Sequence, residues 1–134
     1  MKILLDTHIF LWFITKSKRL SEKCYDAISN QDNEVDLSVV SVWETVIKYQ
    51  LEKLPLPESP EIYLPKERER HLISSLSVDK TTITQLAKLP PLHNDPFDRL
   101  LLCQSLEDDL IIMTEDKAII SYPIVGLTQL NWPN

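Results

Sequence analysis

The chain is short of glycine, cysteine, long apolar runs and basic charge, and each shortage excludes something. No apolar stretch reaches the ~18 residues that a membrane-spanning helix needs. The opening MKILLDTHIF meets an acid at Asp6, whereas a secretory signal keeps acids out of its apolar region and closes on small residues. A cytoplasmic protein with no membrane partner is therefore expected. Cys24 and Cys103 stand far apart and outside any CxxC or Cys/His spacing, so two free, partly buried thiols in a reducing compartment are expected. His8, His71 and His93 are scattered, which leaves no zinc-type ligand set. With one glycine, no repeat and no linker, proline supplies the punctuation: LPLPESP at 54–60 and LPPLHNDP at 89–96 read as loops within one domain, residues 1–134.

The shortage of positive charge is the most informative. The net charge is −6, where nucleic-acid binders usually carry a basic face. A site that holds divalent cations must itself be acidic, however, so the positions of the acids decide the matter. Local basic clusters at Lys16, Lys18 and Arg19 and at Lys66, Arg68, Arg70 and His71 have solvated helix ends or loops as their simplest explanation.

Periodicity predicts strands at Lys2–Asp6, Val35–Val40 and Leu110–Thr114, each a continuous apolar run, and a last one near Ile124–Val125. Helices are predicted at Thr7–Ile14, at 22–31 capped by Ser21, and after Ser41 with Trp43, Val46, Ile47 and Leu51. Further helices are predicted at 60–70, at Asp79–Leu89 with Ile83, Leu86 and Ala87 as its apolar side, and at Asp95–Asp108, with a short one after Thr114. The helix at 95–108 is apolar almost all round, including Leu106, and is expected deep in the fold. Strands alternating with helices imply an α/β domain around a mainly parallel central sheet.

In open parallel sheets, ligands bind beyond the carboxyl ends of the strands. Asp6 ends the first predicted strand, Glu44 follows the second, Asp116 follows the third, and Asp98 opens the long buried helix. Four carboxylates distant in sequence are thereby expected on one rim. Converging carboxylates repel one another, and a hard cation with oxygen ligands relieves the repulsion. Mg²⁺ suits the set, with Mn²⁺ as its substitute, and such an ion assists in-line attack on a phosphodiester. Three of the four acids, taken singly, also have a structural explanation. Ser41 and Glu44 have the spacing of a capping box; Asp95-Pro96-Phe97-Asp98 is a good helix start, with Asp95 as cap; Asp116 could cap the short helix. Asp6, ending an apolar strand beside Thr7, has no cheap structural purpose.

These residues resemble a known family, the PIN-domain nucleases, and within it the VapC-like toxins. Leu4-Leu5-Asp6-Thr7-His8 with Trp12 looks like the opening strand and first metal-binding acid. Ser41-Val42-Trp43-Glu44 with Lys48 resembles the S-x-WE-x3-K segment. His93-Asn94-Asp95-Pro96-Phe97-Asp98-Arg99-Leu100 is similar to the H-x-DPFDR-L block, and Thr114-Glu115-Asp116 to the closing T-x-D. The order matches along the whole chain, including the segment after Tyr122. The resemblance implies a PIN-like three-layer sandwich and an acidic quartet of Asp6, Glu44, Asp98 and Asp116 binding Mg²⁺ or Mn²⁺. It further implies endonucleolytic cleavage of RNA, a homodimer, and inhibition by a VapB-like antitoxin. Asp95 is either a fifth acid behind the ligands or only the helix cap. Thr7 and Thr114 could hydrogen-bond a carboxylate or a bound water, Arg99 a phosphate or an acid. Lys48 is an i,i+4 partner of Glu44 or a cation that orients the site. Trp12, Trp43 and Phe13 near the rim are core packing, or else an antitoxin groove or base-stacking surface. Residues 55–75 match no motif.

Other classes fit less well. A receiver domain needs adjacent acids after its first strand and an Asp ending a middle strand, where Val39-Val40-Ser41 stands. A phosphatase needs Asp-x-Asp, and position 8 is His. A catalytically silent PIN-like scaffold would be expected to lack one of the acids, and all four are present.

Overall fold

A computed structural model of the chain describes residues 1–92, 94–120, 126–127 and 132–133, with backbone alone for Ile120, Gly126 and Leu127. His93 and the strand expected near Ile124–Val125 lie outside the described residues. Among the described residues, five parallel strands form one sheet in the order β3-β2-β1-β4-β5. They are β1 (Lys2–Leu5), β2 (Glu34–Ser38), β3 (Ser74–Leu76), β4 (Ile111–Met113) and β5 (Gly126–Leu127). Between and after them run α1 (Thr7–Ile14), α2 (Glu22–Ser29), α3 (Val39–Gln50), α4 (Pro60–Arg70), α5 (Lys80–Lys88), α6 (Pro96–Asp108) and α7 (Lys117–Ile120). None of the described helices is long and apolar enough to cross a membrane.

The β-strand alternation of side chains builds the layers. Ile3 and Leu5 of β1 enter one core with Ile9, Phe10 and Phe13 of α1, Ile28 of α2 and Leu64 of α4. Leu4, between them, enters a second core with Leu101 and Leu102 of α6 and Ile112 of β4. The sheet is thus covered on both faces, the α/β three-layer sandwich expected for its apolar strands. Chain order reverses at β1, which pairs with β2 on one side and β4 on the other. That is the switch point where open sheets leave a crevice for ligands.

Several sequence expectations are corrected. Helix α3 begins at Val39, not after Ser41, because the Ser38 hydroxyl caps it by accepting from Val40 N at 3.0 Å; the predicted strand therefore stops at Ser38. Asp6 lies one residue past β1 as the N-cap of α1, its Oδ1 accepting from Thr7 N at 2.7 Å, so it does have a structural purpose. Leu106 of α6 is 44% exposed. On α5 the buried side chain is Thr82, not Ile83, which is 50% exposed. Thr82 Oγ1 donates to Glu107 Oε2 of α6 at 2.9 Å, so this side of α5 faces α6. The short strand β3 carries no apolar pattern and was not expected. Cys24 and Cys103 are free and wholly buried.

Candidate active site

The carboxyl ends of β1 and β4, the middle of α3 and the first turn of α6 enclose a cleft of about 520 Å³ lined by Asp6, Glu44, Asp98 and Asp116, together with Asp95, Lys48 and Glu115. Asp6, Glu44 and Asp98 are buried and Asp116 is half-buried.

Each carboxylate is placed by a local device. Asp6 N donates to Met113 O at 3.0 Å, tying the residue to the end of β4. Its Oδ2 accepts from Thr114 Oγ1 at 2.6 Å, and Asp116 N in turn donates to Thr114 Oγ1 at 2.9 Å. Asp116 Oδ1 accepts from Ala118 N at 2.8 Å at the start of α7, as its capping explanation required. Glu44 forms no capping box, since Ser41 is already inside α3. Instead Glu44 Oε1 accepts from Thr7 Oγ1 at 2.7 Å, and Oε2 accepts from Lys48 Nζ at 2.8 Å. Ser41 Oγ lies 2.8 Å from the same Thr7 hydroxyl. A hydroxyl has one proton to give, so with Thr7 donating to Glu44 the buried Ser41 donates to Thr7. Asp95 caps α6, Oδ1 accepting from Phe97 N at 2.8 Å and Asp98 N at 3.3 Å, which fixes the turn that carries Asp98. Asp95 therefore both caps the helix and lines the cleft. Arg99 does not line the cleft: its Nη2 donates to Leu89 O at 3.3 Å.

Crowding shows in the proton affinities. Burial, then the charges of Asp6, Asp95, Glu44 and Asp116, push the Asp98 carboxyl up to about 8. Burial raises Asp6 as well, against the hydrogen bonds from Thr114 and Thr7. A buried carboxyl that resists ionisation beside other acids is a place where a cation lowers the energy.

Among the described residues, no three Asp, Glu, His or Cys side chains form a ready-made metal cage. Carboxylate oxygens dominate the donors at hand, with His8 the one imidazole among the described lining residues, and hard oxygen ligands match Mg²⁺ or Mn²⁺.

The sequence reading gave His8 no role in the site and left Trp12 open between core packing and a binding surface. His8, Trp12 and Arg19 also face the cleft; the first two stand two and six residues after Asp6, a spacing that puts both on one face of α1. Trp43, by contrast, is 52% exposed and packs edge-on against Phe97, with ring centroids 4.8 Å apart. Phe13 is core.

The PIN domain family model matches residues 3–124. Among curated proteins, the chain is 26% identical over 122 residues to ribonuclease VapC22 of Mycobacterium tuberculosis, covering 90% of this chain and 91% of that one. It is 47% identical over 47 residues to ribonuclease VapC16 of the same organism, a match that spans 35% of this chain and only 33% of the relative's length. Its fold is similar to a chain in the crystal structure of VapBC2 from Rickettsia felis bound to a DNA fragment from their promoter. That likeness has a TM-score of 0.72 at 15% identity, covers 96% and 98% of the two chains, and is one of fold.

Proposed function

This chain belongs to the PIN-domain family, and from that premise we propose that it is a metal-dependent endoribonuclease toxin of the VapC type, a hydrolase of RNA phosphodiester bonds neutralised by a cognate VapB-like antitoxin. The whole chain, residues 1–134, is read as a single PIN domain acting in the cytoplasm as a homodimer. The observation that carries the proposal is the meeting of Asp6, Glu44, Asp98 and Asp116 in one cleft at the sheet's switch point. The likeness to the VapC ribonucleases supports the choice of RNA as substrate.

Asp6, Asp98 and Asp116 would hold Mg²⁺, or Mn²⁺ in its place, directly or through water. Bound there, the ion would supply positive charge at the scissile phosphate and a more acidic attacking water. Glu44, fixed on one side by Thr7 and on the other by Lys48, would orient the attacking water or a second ion. Thr114 keeps Asp6 turned toward the cleft, and Asp95 keeps the first turn of α6, hence Asp98, in place. Arg99 acts at a distance, by joining α6 to the end of α5. RNA arrives by its backbone through the scattered Lys/Arg clusters, and its shape or a single-stranded loop decides where it is cut. The antitoxin blocks the cleft by placing an Arg among the carboxylates, a charge-assisted pairing.

The test is cleavage of total RNA by the purified chain with Mg²⁺ or Mn²⁺, with EDTA, and with Asp6→Asn and Asp98→Asn. Discrete metal-dependent fragments that both folded variants fail to produce support the proposal. No cleavage, together with no Mn²⁺ binding, would replace it with a silent binding scaffold.

A further inference from the structure

His8, Trp12 and Arg19 line the carboxylate cleft yet have no part in the reaction above. Trp12 is half-buried: it packs against the core that includes Phe13 and Leu20, and it also borders the cleft. His8, one turn earlier on α1, has its ring centroid 6.4 Å away at 51°. The Arg19 guanidinium sits over one face of the indole, 5.5 Å from its centroid, so a base that stacks on that face exchanges places with it, one π-partner for another. Core contact and the cation together hold the ring in one orientation. Six residues of helix separate Trp12 from Asp6, about 9 Å along the axis, which is within reach of the nucleotide beside the one being cut.

We propose that Trp12 seats one unpaired base of the RNA, the base next to the scissile phosphate, by stacking. The inference rests on the nuclease reading. Its reason is the charge of the cleft. Carboxylates dominate the lining, and Lys48 is engaged by Glu44 at 2.8 Å. Backbone phosphates therefore gain little there apart from the bound ion, and the release of counterions that drives most nucleic-acid binding is weak. Stacking does not depend on charge, and it accepts any base because every base has a π-face. A paired base cannot offer that face, so the seat selects single-stranded or loop nucleotides. Trp43 does not serve, since it packs on Phe97 and is not among the lining residues.

The experiment compares wild type, Trp12→Leu (apolar bulk kept, indole lost) and Trp12→Phe on a short single-stranded oligoribonucleotide, with circular dichroism as the folding control. Trp12→Leu should raise KM about tenfold with kcat held within about twofold, and Trp12→Phe should recover most of the loss. On an oligonucleotide lacking the base at that position, wild type and Trp12→Leu should not differ. Binding is also read without cleavage. In an Asp98→Asn background the oligonucleotide should quench tryptophan fluorescence, and Trp12→Phe should remove the quench although Trp43 and Trp132 remain. If wild type cuts RNA but Trp12→Leu leaves KM and the quench unchanged, the base seat is wrong and the nuclease reading stands. If nothing is cut, the nuclease reading fails and the seat beside a scissile phosphate fails with it, even where the quench still maps to Trp12. If the substitutions spare RNA and weaken only inhibition by the antitoxin, the indole belongs to the protein partner and the inference is overturned.

Discussion

Thr114 Oγ1 donates to Asp6 Oδ2 at 2.6 Å, joining the ends of two adjacent strands whose residues are 108 positions apart. Both side chains are buried, so the bond is sheltered from water and specifies one direction for the Asp6 carboxylate. Thr114→Val keeps the shape and removes the donor. Partners that orient metal ligands typically contribute 10–100-fold to affinity or activity. The valine variant should therefore bind Mn²⁺ and cleave RNA about tenfold less well, and Thr114→Ser should restore both. Calorimetric Mn²⁺ titration decides; equal affinities for Val and Thr would remove Thr114 from the site.

The raised Asp98 carboxyl gives metal-free stability a definite pH dependence. Its folded-state value, about 8, lies above the unfolded one, so the folded chain holds a proton that the unfolded chain releases. That stability is complete below the unfolded value, near 4, and is lost as pH rises through about 8. Asp6, also raised by burial, acts in the same direction. In EDTA the melting temperature should fall between pH 5 and pH 8.5. Asp98→Asn should flatten the fall and melt roughly 5 °C higher at pH 8.5, as about 1 kcal/mol gives in a domain of this size. Mg²⁺ or Mn²⁺ should reverse the fall in wild type by taking the proton's place. A flat metal-free profile would contradict the crowding of the acids.

Lys48 reaches Glu44 one helical turn away, and Glu44 is buried while Lys48 is half-exposed. Lys48→Met strands a buried carboxylate without its cation. The expected cost is about 1–2 kcal/mol, between exposed and fully buried pairs. Adding Glu44→Gln should recover most of it, since a neutral amide has no charge to strand. Urea unfolding of the two single variants and the double variant measures the coupling, and purely additive losses would mean that the pair is incidental.

Helix α5 gives a test of packing. Thr82→Ala removes the bond to Glu107 and the Asp79 contact made by the same hydroxyl, at about 1 kcal/mol. Ile83→Ala, on the exposed side, should stay within about 0.5 kcal/mol. The reverse order in thermal melts would show that Ile83, not Thr82, faces the protein.

Much of the fold is legible in the sequence because its signals are local. The runs Ile3-Leu4-Leu5 and Ile111-Ile112-Met113 are continuous because both faces of the sheet are covered. Asp95-Pro96 opens α6 by capping and a fixed φ. Strand β3 was invisible, since Ser74–Leu76 is recruited by backbone pairing with β2 and has no apolar pattern to show. Helix α3 starts earlier than the helix predicted after Ser41, because β2 ends at Ser38 and its hydroxyl caps Val40 N. Helix ends at Lys16, Glu52, Leu72 and Asp109 adopt positive φ without glycine, so they carried no turn signal. Ile83 and Leu106 were misassigned because spacing identifies an apolar side but not whether a neighbour covers it.

The sequence by itself determined the alternation of strands and helices and the four acids placed just beyond strand ends or at helix starts, because propensity, capping and period act over a few residues. Only the tertiary structure decided that Glu44 is gripped by Thr7 and Lys48, that Asp6 is held by Thr114, that Arg99 turns away to Leu89, and that Trp12 borders the cleft. Those contacts join segments up to 108 residues apart, and their geometry exists only once the order β3-β2-β1-β4-β5 has brought the strand ends together.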